Sequence, residues 1–142
     1  MAVGQKAPVF SAVDADSNIF YLQKALENGS VVLIFYRGFW CPVCNKHLGS
    51  LQDNLRLIDN TGAKVIAVSP EKPEFLDKMA LRTGAQFTLL YDEGYRIAKA
   101  YDVVYKHPPV HNCLLIMLSL AESLKRVIRM LRNNYPSRQH LL

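Results

Sequence analysis

Cys41 and Cys44 flank Pro42 and Val43, so a Cys-x-x-Cys pair lies within the stretch Arg37-Gly38-Phe39-Trp40-Cys41-Pro42-Val43-Cys44. Proline lacks an amide proton and its fixed φ suits the first helical position. A helix starting at Pro42 therefore puts Cys41 at the N-cap and Cys44 in the first turn. The unpaired amides of that turn and the positive end of the helix macrodipole favour a thiolate, the species that attacks peroxides and disulfides. Arg37 and Lys46 add positive charge close by in sequence. A three-residue separation on one turn also brings the two Cα atoms to roughly the 5–6 Å that a disulfide needs. The pair can open and close without refolding the chain.

The flanking segments must hold that corner. Residues 31–35 form an apolar run, β-branched and aromatic on both faces, which predicts a central strand covered by helices and feeding the cysteines. A helix is expected from Pro42 to about Asn60, closed by Gly62, with Cys44, Leu48, Leu51, Leu55 and Ile58 on one face. Cys44 then heads the buried stripe and Cys41 precedes it, so Cys41 is expected to be the more exposed. Alone, Cys44 would read as a small core residue; its partner turns the reading toward redox use. A strand at 63–68 completes a βαβ unit with a parallel crossover.

Elsewhere, segments 9–13 and 19–22 flank the turn formers 14–18 and read as an N-terminal hairpin, with a short helix at 22–27. After a turn at 69–73 come a helix at 74–83 ended by Gly84, a strand at 87–91, a turn at 92–94 and a short helix at 95–101. Their inward residues are Phe75, Leu76, Met79 and Ala80, then Ile97, Ala98 and Tyr101. Segments 113–118 and 127–131 read as a hairpin, although propensity also allows one helix over 114–132. Cys113 reads as a core strand position, with a resolving role as the alternative.

The 142 residues suit a single domain, with residues 133–142 as an irregular basic tail. The N-terminus lacks the apolar core of a signal peptide, and no apolar run approaches a membrane span, so a cytoplasmic protein is expected. Three cysteines are too few for a disulfide framework. The net charge of +5 belongs to the end of the chain, because no acidic residue follows Glu122 while Lys125, Arg126, Arg129, Arg132 and Arg138 do. No base-reading or aromatic-interleaved motif accompanies that cluster, and nucleic acid is not an expected partner. A zinc site from Cys41, Cys44, His107 and His111 has the right Cys-x-x-Cys spacing, but the long gap to His107 does not match compact finger spacing.

The element order and the residues that label it resemble the thioredoxin superfamily, and within it the peroxiredoxin-like (alkyl hydroperoxide reductase/thiol-specific antioxidant) branch. Residues 3–10, Val-Gly-Gln-Lys-Ala-Pro-Val-Phe, look like that branch's N-terminal motif. Residues 32–44 look like its active-site strand and loop, and residues 85–103 like its fourth-strand and helix segment. The resemblance implies an α/β thioredoxin-like fold: a central mixed β-sheet flanked by helices, with an N-terminal hairpin and an atypical short C-terminus. In the peroxiredoxin pattern Pro-x-x-x-Thr/Ser-x-x-Cys, Arg37 stands for the proline, Cys41 for the Thr/Ser, and Cys44 takes the peroxidatic position. In the thioredoxin pattern Trp-Cys-x-x-Cys, Cys41 attacks and Cys44 resolves. Both assignments stay open. The family's later arginine position falls on His111, which could assist as an imidazolium or be an ordinary loop histidine.

The resemblance thus implies a thiol-dependent peroxidase whose catalytic residues are Cys41 and Cys44, with Arg37, Trp40, Pro42 and His111 in support. Hydroperoxide or disulfide is the substrate, a thioredoxin- or glutathione-type thiol the reductant, and no metal or organic cofactor is required. A homodimer is compatible with this reading. The alternatives are a general protein disulfide oxidoreductase, or a non-catalytic thioredoxin-fold binding module whose basic tail meets an acidic partner.

Overall fold

The computed structural model describes residues 4–104. The expected strands at 113–118 and 127–131, Cys113, His107, His111 and the basic tail lie outside the described residues. Five strands form one mixed sheet: β1 (Ser11–Asp14), β2 (Ile19–Tyr21), β3 (Val31–Phe35), β4 (Lys64–Ser69) and β5 (Thr88–Tyr91), in the order β2-β1-β5-β4-β3. The hairpin pair β1 and β2 is antiparallel, as is β1 with β5, whereas β3, β4 and β5 run parallel. Among the described residues, then, β4 is the inner strand of the parallel set and β3 pairs only with β4. The sequence predicts a central position for β3, and the further strands expected at 113–118 and 127–131 lie outside the described residues.

The strands alternate cleanly. Val65, Ala67 and Leu89 face a core formed with Leu48 and Leu51 of helix α2 (Pro42–Asp53), Leu55 and Ile58 of α3 (Leu55–Asp59), and Leu76 and Met79 of α4 (Pro73–Thr83). Ile66, Val68 and Leu90 face the opposite core, which holds Ala12, Ile97 and Tyr101 together with Phe10, Phe20 and Phe35. This period of two is what a sheet covered on both faces requires. Of the expected inward residues, Leu76, Met79, Ile97, Ala98 and Tyr101 are buried, while Phe75 and Ala80 are half-buried. Full burial of a side chain such as Leu51 contributes about 2 kcal/mol.

The single helix expected over 42–60 is two helices. Asn54 (φ −106°, ψ 7°) lies between them, and its side-chain amide donates to the Ser50 carbonyl at 2.8 Å, occupying the acceptor that a continuing helix would give to a backbone N–H. The break leaves the inward stripe intact. Helix α4 ends as expected at Gly84, whose left-handed backbone (φ 67°) suits a residue without Cβ.

Beyond β5, a 3-10 turn at Glu93–Tyr95 leads into helix α5 (Arg96–Ala100). Asp92, 1% exposed, fixes that start by accepting from the backbone N–H of Ile97 at 2.7 Å and of Ala98 at 2.9 Å. Tyr101 then donates from its hydroxyl to the Pro8 carbonyl at 2.7 Å and secures the N-terminal segment. The first helix of the chain, α1, is Leu22–Glu27. No helix among the described residues is long and apolar enough to cross a membrane.

Candidate active site

Parallel strands deliver their loops to the same end of the sheet, so the segment after β3 and the segment after β4 meet. The Tyr36 amide extends the β3–β4 pairing by donating to the Val68 carbonyl at 3.0 Å. Beyond it, Glu71 reaches across from the β4 side and accepts the Phe39 amide proton at 2.6 Å. Asn45, in the first turn of α2, donates from Nδ2 to the carbonyls of Phe39 at 2.7 Å and Cys41 at 2.9 Å. Both sides of the Phe39 peptide are therefore held. Gly38 makes this closeness feasible: a Cβ there would stand 2.6 Å from Glu71 Cδ and from Trp40 Nε1.

Pro42 occupies the first helical position and Cys41 the N-cap, as expected. The Cys41 sulfur faces the Cys44 amide without closing a full cap hydrogen bond. Both cysteines are free thiols, but their exposure reverses the expectation: Cys41 is 1% exposed and Cys44 is half-buried. The reason lies in Arg37. Its guanidinium folds back to donate from Nη2 to Cys41 Sγ at 3.4 Å and stacks on the Trp40 ring, 5.1 Å from the centroid. A helical stripe cannot reveal a cover contributed by the preceding loop.

The two thiols differ in acidity. Burial pushes the Cys41 thiol up, but the Cys44 thiol beside it, the hydrogen bond and charge of the Arg37 guanidinium and the Cys44 amide it faces bring it below the ordinary thiol value. Burial pushes Cys44 up, and its neighbour Cys41 reinforces that; the Arg37 and Gly38 amides oppose it without prevailing. Arg37 thus addresses both sulfurs, one through its side chain and the other through its backbone. Of the two sulfurs, Cys41 is therefore the one whose thiolate form its surroundings favour.

Around this pair, Trp40 is 60% exposed and Lys46 stands exposed on α2. His111 lies outside the described residues. Tyr36 is buried in the core cluster against which Cys44 packs. Burial holds its phenol far above the ordinary range; the Ser69 hydroxyl, facing it without the geometry of a formed hydrogen bond, opposes this, while Glu71 and Cys44 reinforce it. Burial likewise lowers the His47 imidazole, favouring its neutral form. Asn45 and Glu71 were not singled out in sequence. The signal that finds Glu71 is topological: once β3 and β4 run parallel, the segment after β4 must border the segment after β3.

Residues 3–131 match the family model described as AhpC/TSA. The chain is 34% identical over 98 residues to a Mycobacterium tuberculosis protein placed among the peroxiredoxins, a match covering 69% of this chain and 62% of that protein. It is 30% identical over 103 residues to the peroxiredoxin Bcp of Escherichia coli K12, covering 72% and 65% respectively. The chain thus spans less than two thirds of the length of these relatives. Among solved structures, the peroxidoxin BcpB of Mycobacterium tuberculosis superposes with a TM-score of 0.68 at 22% identity, over 75% of this chain and 68% of that one. That likeness establishes the thioredoxin-like α/β fold.

Proposed function

The chain belongs to the AhpC/TSA family, and on that premise we propose that it reduces hydroperoxides with Cys41 as the attacking thiolate and Cys44 as the resolving thiol. The observation that carries the assignment is the Arg37 guanidinium, 3.4 Å from Cys41 Sγ. A fixed cation beside that sulfur stabilises the thiolate there and offers N–H donors to an oxygen approaching it. Cys41 attacks one peroxide oxygen; the S–O bond forms as the O–O bond breaks, leaving a sulfenic acid. The departing oxygen takes up a proton and leaves as alcohol or water.

Cys44 then attacks the Cys41 sulfur, expelling the hydroxyl oxygen as water and closing a disulfide. A thioredoxin- or glutathione-type donor, supplying two electrons by thiol–disulfide exchange, restores the pair. A cytoplasmic setting, where thiols are kept reduced, suits this cycle. No metal or organic cofactor enters it.

Stopped-flow measurement of hydroperoxide consumption by the reduced protein tests the activity. A second-order rate no faster than free cysteine at the same pH removes it. With Cys44→Ser, the sulfenic acid should persist on Cys41 and be captured by dimedone; with Cys41→Ser, consumption should collapse. Full-speed reaction of Cys41→Ser would reassign the attack to Cys44, the position favoured by the peroxiredoxin pattern.

A second reading, a general disulfide oxidoreductase, draws on the same pairing of a depressed first thiol with a raised second one in Trp40-Cys41-Pro42-Val43-Cys44. Insulin reduction without peroxide consumption would favour it. Partner binding unaffected by Cys41→Ser and Cys44→Ser, with neither reaction present, would indicate a non-catalytic binding module.

A further inference from the structure

The groups around Cys41 are layered from the inside outward. The sulfur-bearing residue is 1% exposed, Arg37 over it is half-buried, and Trp40 beyond Arg37 is 60% exposed. Contacts join the layers, since the guanidinium donates to Sγ at 3.4 Å and lies 5.1 Å from the indole centroid. The indole is itself seated against the loop, because its Nε1 occupies the space a Cβ at Gly38 would need. Behind Arg37, Asn45 and Glu71 hold the peptide of Phe39. Among the described residues, Arg37 and Trp40 thus lie over the sulfur on an anchored backbone.

Resting on the reading of Cys41 as the attacking thiolate, we propose that Arg37 and Trp40 form a size filter that admits small hydroperoxides to Cys41 and retards bulky hydroperoxides and protein disulfides. Displacement of Arg37 from Sγ uncovers the sulfur on that side for a small hydroperoxide. Hydrogen peroxide uses that approach, and the guanidinium N–H groups released from Sγ are positioned to meet its oxygens. A disulfide substrate must bring its sulfur into line with Sγ over a wide approach, which requires Trp40 to leave as well. That departure sacrifices the cation–π contact with Arg37. The chemical step is unchanged: the S–O bond forms, the O–O bond breaks, sulfur is oxidised and the departing oxygen takes a solvent proton.

The test compares second-order rate constants for hydrogen peroxide and cumene hydroperoxide with the reduced full chain, its Trp40→Ala variant and its Trp40→Phe variant. The wild-type ratio should favour hydrogen peroxide. Trp40→Ala should shift that ratio toward the bulky peroxide by about tenfold, the scale of a partly desolvated cation–π contact, and Trp40→Phe by less. An unchanged ratio in Trp40→Ala overturns the filter, as does a wild-type preference for cumene hydroperoxide.

If neither peroxide reacts faster than with free cysteine, the peroxidase reading fails and the filter is judged separately. In that case alkylation of Cys41 by iodoacetamide is compared with alkylation by a fluorescein maleimide in the same three proteins. The maleimide should gain relative to iodoacetamide in Trp40→Ala, and equal response to both reagents overturns the filter. Retention of the wild-type circular dichroism spectrum shows that each variant is folded.

Discussion

Asn45 reaches back from the first turn of α2 to the carbonyl of Phe39 at 2.7 Å, so the helix holds the loop that leads into it. The same Nδ2 also donates to the Cys41 carbonyl at 2.9 Å. Asn45→Ala removes both bonds, and each such bond contributes about 1 kcal/mol. A loss of about 1–3 kcal/mol in urea unfolding is expected, together with slower alkylation of Cys41. Unchanged stability and unchanged alkylation would show that α2 does not hold the loop.

The pH dependence of alkylation reads the asymmetry of the thiols. Because Cys41 is held below the ordinary thiol value, its reactivity should be full above that lowered midpoint and fall only as pH drops through it. In Arg37→Met the midpoint should move upward, so reactivity at neutral pH falls about tenfold, the scale of one charge-assisted hydrogen bond. Cys44 should titrate above the ordinary value. Measuring iodoacetamide rates against pH, with mass-spectrometric assignment of the modified cysteine, separates the two. A midpoint unaffected by Arg37→Met would contradict the role given to the guanidinium.

Gly38→Ala should act through Glu71. The added Cβ would lie 2.6 Å from Glu71 Cδ and from Trp40 Nε1, so the carboxylate must withdraw from the Phe39 amide. Loss of that charge-assisted bond is expected to cost about 1.5–3 kcal/mol of stability. Calorimetry on Gly38→Ala, Glu71→Ala and the double variant provides the check. If the loss runs through Glu71, the double variant is scarcely less stable than Glu71→Ala, whereas additive losses argue for independent effects.

Asp92 offers a test remote from the sulfurs. Its buried carboxylate accepts two amide protons at the start of α5. Asp92→Ala leaves both donors without that partner and should destabilise the protein by about 2–4 kcal/mol, given one to two kcal/mol for each. Asp92→Asn, which retains one acceptor, should lose less. Equal urea midpoints for the wild type and Asp92→Ala would refute the cap.

Local chemistry made much of this fold legible. Pro42 marked a helix start, Gly84 a helix end, and the apolar run in 63–68 a buried strand. The break at Asn54 depends on one side chain competing for the Ser50 carbonyl, a contest that apolar periodicity does not register. At the candidate site, Cys41, Cys44, Arg37 and Trp40 were visible because they are consecutive or nearly so. Glu71 comes from 32 positions beyond Phe39, and only the parallel pairing of β3 and β4 brings it there. The exposure of Cys41 was misjudged because the helix face was considered without the side chain folded over it.

The chain contains a single tryptophan, and it is the one stacked on Arg37 beside Cys41. Indole emission responds to neighbouring charge and to water, so the protein carries its own optical probe at the reactive corner. No other tryptophan contributes background light. Each turn of the redox cycle that removes negative charge from Cys41 or shifts Arg37 is therefore open to observation in real time, without a dye or coupled enzyme.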